Sequence, residues 1–222
     1  MNADLSIIMP VLNEAASIVQ ALDRLAALRR GGAQVIVVDG SSSDQTLALC
    51  AGRVDAIMSA RRGRASQQNA GARAASGAML LFLHADTSLP PDALDQIAGC
   101  GCEWGRFDVA IDGRAWMFSV IGALMNLRSR LTGIATGDQA IFVRRGLFEA
   151  VGGFPDQVLM EDIELSTRLR ARARPACLKA KVSTSGRRWE RHGVVRTMVL
   201  MWRLRLLYWL GVPADRLARW YG

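Results

Sequence analysis

The chain has 222 residues, half of them apolar, and carries a formal net charge of +8 at neutral pH. This length suits one large domain or two small ones, and no run of about eighteen uncharged apolar residues predicts a membrane-spanning helix. The positive charge is almost entirely arginine, which indicates a polyanionic partner: phosphates, anionic lipid or nucleic acid.

Short segments rich in β-branched and apolar residues alternate with helical periods along the chain. The clearest strands are predicted at 5–11, 35–39, 56–60, 79–85 and 140–144. Helices are predicted at 14–28, with Asn13 as N-cap, and at 46–51 and 65–75. Near-continuous apolar strands that alternate with helices predict a parallel sheet covered on both faces. Such sheets bind their ligands beyond the carboxyl ends of the strands.

Acidic and small polar residues follow three of the predicted strands. The first strand ends in "PVLNEA", the second in "VVDGSSSD" and the fourth in "LHADT", which places four acids at the ligand crevice: Glu14, Asp39, Asp44 and Asp86. Each acid alone has a simple structural explanation, such as a turn or a helix cap. The sequence contains neither G-x-G-x-x-G nor G-x-x-x-x-G-K-[ST], so the dinucleotide fingerprint and the P-loop are both excluded.

The cysteines and the N-terminal residues indicate the cellular compartment of the protein. Cys50, Cys100, Cys102 and Cys177 show neither a CxxC pair nor a zinc-ligand spacing. We predict free thiols for Cys100 and Cys102, in a loop or in the core, and a reducing cytoplasm. The start, "MNADLSIIMPVLNEA", has an early acid and no basic region, so we expect no signal peptide.

Five stretches, in a fixed order over residues 5–170, resemble the family 2 glycosyltransferases, with a likeness to small single-domain bacterial members. They read "MPVLNEA", "VIVVDGSSSDQT", "GRASQQNAGARAASGAMLLFLHADT", "GDQAIFVRRGLFEAVGGFP" and "MEDIELSTRLR". The resemblance implies an α/β GT-A fold, a Rossmann-like three-layer sandwich with a mostly parallel central sheet. It also implies an inverting transfer of a sugar from a nucleoside diphosphate donor to an acceptor hydroxyl or phosphate.

The resemblance further implies a divalent metal ion, Mg²⁺ or Mn²⁺, held against the donor diphosphate. The family has a D-x-D-like motif at this strand end, which here reads His84-Ala85-Asp86, so Asp86 is the expected metal ligand. One carboxylate with two phosphate oxygens suffices for Mg²⁺. For His84 a role as hydrogen-bond donor is favoured over metal ligation, because hard cations prefer oxygen. A strand-end histidine with purely structural partners stays an alternative.

Matching motif positions assign the other donor-site residues. The expected contacts of the nucleotide sugar are Pro10, Asn13, Glu14, Asp39, Arg64, His84, Asp86, Gly137, Asp138, Gln139 and Arg188. Three positions depart from the family pattern. Gly40 stands where some members have an acid that reads the base, and Gln68 stands where many have an arginine. Arg188-Trp189 match the end of a Q-x-x-R-W motif, but Ser185 replaces its glutamine.

The pair Glu161-Asp162 matches the position at which the family places its general base. The resemblance assigns that role to Asp162, while Glu161 orients the helix or the base. The acceptor hydroxyl must lose a proton as it attacks the anomeric carbon, and a positioned carboxylate accelerates such a step by roughly 10²–10⁴-fold. The structural alternative is that these acids complement the dipole of the helix they begin.

We predict one GT-A domain at 1–190 and an amphipathic helical segment at 191–222. Residues 194–210 combine large apolar side chains with three arginines and are too charged to span a bilayer. This segment packs on the domain, lies on a membrane or contacts a second copy. The predicted location is the cytoplasm, with peripheral contact at the inner membrane face as a further possibility.

Two other functions are compatible with the composition. A sugar-phosphate nucleotidyltransferase would have a glycine-rich loop with a lysine after the first strand, and "PVLNEA" contains neither residue. A non-catalytic nucleic-acid-binding protein would explain the isoelectric point of 10.3 and predicts basic and aromatic residues interleaved on the sheet. The acids at the strand ends would repel phosphates, so we expect no nucleic-acid partner.

Overall fold

The computed structural model describes residues 4–113 and 115–221, without the side chain of Arg188. The strands are β1 Leu5–Val11, β2 Gln34–Asp39, β3 Ala56–Ser59, β4 Met79–Phe82, β5 Thr87–Ser88, β6 Trp104–Asp112, β7 Phe142–Arg144 and β8 Ala176–Ser185. The helices are α1 Ile18–Arg30, α2 Thr46–Cys50, α3 Arg64–Ala74, α4 Ala93–Gly99, α5 Met117–Thr132, α6 Arg145–Ala150, α7 Glu161–Arg170, α8 Arg187–His192, α9 Val194–Trp209 and α10 Ala214–Tyr221. A short 3₁₀ helix spans Gly137–Gln139.

The strands form one sheet in the order β3-β2-β1-β4-β7-β6-β8-β5. The first four in this order run parallel, and β6 is parallel to β8. Strand β7 is antiparallel to both β4 and β6, and β5 is antiparallel to β8. The carboxyl ends of β1, β2 and β4 therefore meet at one edge of the sheet, as the apolar pattern predicts.

Successive side chains of the central strands enter two different cores. Ile7 and Met9 pack with α1, α2 and α4 on one face, whereas Ile8 packs with α3, α6 and α7 on the other. This alternation follows from the period of two along a strand, and it requires apolar residues at every position. The three-layer α/β architecture expected from the sequence is thus confirmed.

The first helix begins later than the sequence pattern suggests. Residues 14–17 form a turn, in which the backbone N–H of Ile18 donates to Glu14 O (2.8 Å), and the residue before α1 is Ser17. The prediction of Asn13 as N-cap is therefore wrong. Asn13 has a φ of 55°, and its Oδ1 accepts a hydrogen bond from the backbone N–H of Ser43 (2.8 Å) in the neighbouring loop.

The prediction of free thiols at Cys100 and Cys102 is also wrong, because the two cysteines form a disulfide. The chain turns back after α4, which brings their Cα atoms to 5.2 Å, inside the usual range for a disulfide. Spacing in the sequence did not indicate this turn. Cys50 and Cys177 are free.

The C-terminal helices add a third, smaller core. Leu204 of α9 and Leu217 of α10 are fully buried against Leu159 and Met160, which directly precede α7. Met160 has a φ of 65°, an uncommon conformation for a residue with a side chain, and burial holds it there. Among residues 4–113 and 115–221, no helix has the length and apolar character needed to cross a bilayer.

Candidate active site

A cavity of about 820 Å³ opens at the carboxyl ends of the parallel strands. Its walls come from the ends of β1 and β4, the start of α3, the 3₁₀ helix, the start of α7, and one face each of α5 and α9. The cavity brings together most of the site residues predicted from the sequence, which are Pro10, Glu14, Arg64, His84, Asp86, Gly137, Asp138, Glu161 and Asp162.

Three predicted residues do not line the cavity, and the side chain of a fourth is not described. Asp39 is 1% exposed and accepts hydrogen bonds from the backbone N–H groups of Ser41 (3.0 Å) and Ser42 (2.9 Å). Asn13 joins the loops after β1 and β2, as described above, and Gln139 is fully buried. The described contacts of these three side chains are with protein groups. The side chain of Arg188 lies outside the described part of the chain.

The loops after β1 and β2 are joined by further hydrogen bonds. The backbone N–H of Glu14 donates to Thr46 Oγ1 (2.8 Å), and that of Ala15 donates to Asp44 Oδ2 (3.1 Å). The hydrogen bond from the Thr46 side chain, with those from backbone N–H groups, lowers the pKa of Asp44. Asp44, one of the acids expected at the crevice, therefore fixes the loop that carries Glu14.

Gln67 supports the same wall and explains a departure from the family pattern. Its amide nitrogen donates to Val11 O (2.9 Å) and Val38 O (2.8 Å), so that it ties α3 to the ends of β1 and β2. A Cβ atom at Gly40 would lie 2.9 Å from Gln67 Oε1. The position that carries an acid in some relatives is therefore occupied here by the amide of Gln67.

His84 packs against the 3₁₀ helix. Its Nδ1 lies 3.6 Å from Asp138 Oδ1, and a Cβ at Gly137 would approach its Cε1 to 2.5 Å, so this position requires glycine. Desolvation acts to raise the pKa of Asp138, but the nearby imidazole of His84, together with the charge of Arg64, holds it below its usual range. The Nδ1 side of the His84 imidazole thus faces a protein carboxylate.

Asp86 presents an exposed carboxylate to the cavity. Its one side-chain contact among the described hydrogen bonds is a long one, 3.4 Å from Thr87 Oγ1. Within the described part of the chain, no group of three His, Cys, Asp or Glu side chains is arranged to hold a metal ion. Asp86 therefore offers the cavity a carboxylate that accepts only one, long hydrogen bond among the described residues.

Asp162 is held at the start of α7 by two backbone donors. Its Oδ2 accepts from the N–H of Gly137 (2.8 Å) and its Oδ1 from the N–H of Ile163 (2.8 Å). These bonds link α7 to the 3₁₀ helix that also contacts His84. They place a fixed carboxylate in the same cavity as Asp86.

Glu161 beside it lies in a different environment. The residue is 6% exposed, and burial, reinforced by the negative charge of Asp162, raises its pKa to about 7, while Arg64 opposes the shift. Two adjacent carboxyl groups therefore differ in character: Glu161 is buried and readily protonated, whereas Asp162 is half-buried and fixed by N–H donors.

Three arginines of this cavity were not predicted from the sequence: Arg62, beside the predicted Arg64, and two on other helices. Arg128 of α5 and Arg205 of α9 both line it. Burial, with repulsion from Arg205, lowers the pKa of Arg128 to about 10, and burial also lowers the pKa of Arg205. One signal was available, since Arg205 falls off the helical face shared by Arg196 and Arg203. Arg128 gave no signal, because α5 lies outside the recognised motifs.

Comparison with known proteins decides the family. The model of the family described as "Glycosyl transferase family 2" matches residues 6–121 of the chain. This chain belongs to glycosyl transferase family 2. The expected family and the GT-A fold are both confirmed, and neither the nucleotidyltransferase nor the nucleic-acid-binding alternative is favoured.

A curated relative of this family 2 glycosyltransferase is the PGL/p-HBAD biosynthesis glycosyltransferase of Mycobacterium bovis (strain BCG / Pasteur 1173P2). The two are 34% identical over 160 residues, which cover 67% of this chain and 62% of the relative. The matched region of this chain thus spans less than two thirds of the relative's length.

Solved structures show the same fold. S. aureus TarS 1–349 in complex with UDP-GlcNAc superposes with a TM-score of 0.66 at 22% identity, covering 82% of this chain and 58% of that one. The mannosyltransferase PcManGT from Pyrobaculum calidifontis, in complex with GDP-Man and Mn²⁺, gives a TM-score of 0.63 at 22% identity, covering 81% and 56%.

Proposed function

We propose that this family 2 glycosyltransferase transfers a sugar from a nucleoside diphosphate donor to an acceptor hydroxyl or phosphate, with inversion at the anomeric carbon. The observation that carries the proposal is the cavity at the carboxyl ends of the parallel strands. It holds the exposed carboxylate of Asp86 and the fixed carboxylate of Asp162 together. Structural relatives are described in complex with UDP-GlcNAc or GDP-Man, which supports a nucleotide sugar as donor.

The donor half of the site fits a divalent cation. The single free carboxylate of Asp86 suits Mg²⁺ or Mn²⁺, whose remaining ligands come from water and substrate phosphates. When bound, such an ion supplies charge stabilisation to the leaving diphosphate. His84, held against Asp138, positions the wall beside it. Arg64, which interacts with the carboxylates of Glu161 and Asp138, contributes positive charge to the same cavity.

The acceptor half centres on Asp162. As the acceptor oxygen forms its bond to the anomeric carbon, the bond from that carbon to the diphosphate oxygen breaks, and the acceptor proton passes to the Asp162 carboxylate. An acceptor phosphate that is already ionised would need no such transfer. The two backbone donors keep the carboxylate oriented, and Glu161 restricts the start of α7 by its burial.

The C-terminal segment, 191–222, is proposed to support the catalytic domain of residues 1–190. Leu204 and Leu217 bury the turn that contains Met160, immediately before the Glu161-Asp162 pair. The segment therefore fixes where α7 begins. Its other faces remain available for contact with a surface.

A panel of nucleotide sugars tests the donor assignment. UDP- and GDP-sugars, each with and without Mn²⁺, are compared by thermal shift of the full chain. A matching donor at about 100-fold excess over its dissociation constant stabilises the folded state by about 2.7 kcal/mol, and we expect a larger shift with Mn²⁺. The function is contradicted if neither the sugars nor free UDP and GDP raise the melting temperature.

We also propose peripheral contact with an anionic membrane. Large apolar side chains are exposed on α5 and the residue before it, and on α9 and α10, among them Trp116, Leu131, Trp209 and Trp220. Helix α9 also carries the exposed cations Arg196 and Arg203. Aromatic side chains and the aliphatic stems of arginines are stable at the level of the lipid headgroups. Each basic residue near an anionic surface adds about 1 kcal/mol to the binding free energy.

Vesicle flotation measures this contact. The full chain is expected to float with phosphatidylserine-containing vesicles at low salt and less at high salt. Replacing Trp209 and Leu206 together by serine removes exposed apolar side chains and is expected to weaken binding at least about tenfold. Ile57→Ser, at an exposed apolar position on β3, is the matched control. Equal flotation of all three proteins, or none, would contradict membrane contact.

A further inference from the structure

Two arginines in the cavity have donor groups with no protein acceptor. The Nε and Nη2 atoms of Arg128 and the Nε atom of Arg205 are buried and form no hydrogen bond in the described structure. Neither side chain takes part in any ion pair found among the described residues. A buried donor left unpaired costs roughly 1–3 kcal/mol, and more when it is charged. Such a pair is expected where a ligand supplies the acceptors.

A buried arginine elsewhere in the fold shows the contrast. Arg106 of β6 is fully buried and its Nε also lacks a hydrogen-bond partner, but its guanidinium pairs with Asp108 and donates to Asn126 O (3.1 Å). Its charge is neutralised inside the protein. Arg128 and Arg205, in comparison, lie close enough for the charge of Arg205 to lower the pKa of Arg128. Two like charges held together in a cavity favour a bound anion.

The position of the pair relates it to the acceptor half of the site. Both guanidinium groups interact electrostatically with Asp162, the proposed base. The same two helices contribute apolar side chains to the cavity wall, which are Ile121, Leu124, Met125, Met198, Met201 and Trp202. A ligand bound at the arginines therefore has apolar surface beside its anionic group.

We propose that Arg128 and Arg205 form a subsite for the phosphate of an amphiphilic acceptor, whose apolar part lies between α5 and α9. Planar guanidinium groups match phosphate oxygens in geometry, and two cations balance a phosphate monoester, which carries about −1.5 to −2. The inference rests on the proposed function and deepens it by naming the acceptor class. The same chemistry occurs in a membrane lipid phosphate and in a soluble alkyl phosphate.

Calorimetry with n-hexyl phosphate tests the subsite in the full chain, with hexanol, inorganic phosphate and UDP as parallel ligands. We expect hexyl phosphate to bind more tightly than inorganic phosphate, and hexanol to bind weakly. Arg128→Gln and Arg205→Gln should each weaken hexyl phosphate at least about tenfold and leave UDP binding unchanged. Arg30→Gln, at an exposed position on α1 outside the cavity, is the control and should change neither. Melting temperatures verify that each variant folds, which is expected because removing one cation relieves repulsion.

Two outcomes would overturn the subsite. In the first, hexyl phosphate binds both variants as it binds the wild-type chain. In the second, the variants lose UDP and hexyl phosphate in equal measure, which would assign the arginines to the donor diphosphate. Failure of the proposed function appears differently: no nucleotide binds, while arginine-dependent binding of hexyl phosphate persists.

A vesicle arm separates the two sources of the phosphate. Phosphatidylcholine vesicles with dodecyl phosphate are compared with phosphatidylcholine alone. Recruitment by dodecyl phosphate that both arginine variants lose supports a lipid phosphate as acceptor. Binding of hexyl phosphate in solution without such recruitment supports a soluble one.

Discussion

Asp162→Asn is expected to lower the turnover of sugar transfer to a hydroxyl acceptor by roughly 10²–10⁴-fold and to leave donor affinity nearly unchanged. The amide oxygen of asparagine can still accept the hydrogen bond from the N–H of Gly137, although the bond from the N–H of Ile163 is lost, so the side chain keeps one of its two backbone anchors. What is lost is the carboxylate that accepts the acceptor proton. Release of nucleoside diphosphate from the best donor of the panel measures turnover, and calorimetry measures donor affinity.

Glu161→Gln is the matched control for this prediction, since it alters the neighbouring carboxyl group. We expect a smaller loss of turnover, because Glu161 is buried and is proposed only to orient α7. A loss of turnover equal to or greater than that of Asp162→Asn would indicate that Glu161 is the general base. If Asp162→Asn instead keeps its turnover per folded molecule but loses stability, the two acids serve only to complement the dipole of α7.

The control variant also has a predictable pH signature. Burial raises the pKa of Glu161 from 4.5 to about 7 in the folded chain, so its contribution to stability is complete below pH 4.5 and is lost as the pH rises through 7. As the pH rises from 4.5 to 7, the free energy of unfolding of the wild-type chain should therefore fall relative to that of Glu161→Gln, by up to roughly 3 kcal/mol.

Asp86→Ala is expected to abolish the Mn²⁺-dependent part of nucleoside diphosphate binding. The remaining affinity should equal that of the wild-type chain without metal, a loss of at least about tenfold, or about 1.4 kcal/mol. The reason is that Asp86 offers the exposed carboxylate at the donor end of the cavity, and no metal-binding cluster of three acids, histidines or cysteines stands in for it in the described chain. Calorimetry of UDP and GDP, with and without Mn²⁺, gives the comparison.

Asp95→Ala removes an equally exposed acid from α4, outside the cavity, and should bind nucleotide and metal as the wild-type chain does. Both variants are expected to fold, because neither carboxylate supports the core. If metal-dependent nucleotide binding survives in Asp86→Ala, Asp86 is not a metal ligand. An equal effect in both variants would point to net charge rather than to coordination.

Local sequence determined the strands and the edge at which ligands bind. Continuous apolar runs such as residues 5–11 need partners on both faces, and only a covered parallel sheet provides them. The polar residues that end β1 and β4 must then lie at one edge, which is why Glu14, His84 and Asp86 line the cavity. Five short motifs in order added the family, which the match over residues 6–121 confirms.

Contacts between distant segments decided what the sequence could not. Strand β6 was not predicted, because Arg106 and Asp108 suggest surface residues until their burial against Asn126 O and Arg130 of α5 is seen. Asn13 and the disulfide of Cys100 and Cys102 likewise depend on turns that have no periodic signal. In each case the side chain's partner lies in a turn or on another element, and a local pattern contains no information about it.

The sequence by itself determined that this chain has a family 2 glycosyltransferase core with acids at its strand ends, because strand burial and motif order are local properties. Only the tertiary structure decided that α9 lines the cavity and places Arg205 near enough to Arg128 of α5 to affect its pKa. Periodicity places an arginine on a face of a helix, but the direction of that face is set by which side of the helix is buried. Leu204 and Leu217 bury it against Leu159 and Met160, and so bring Arg205 into the site.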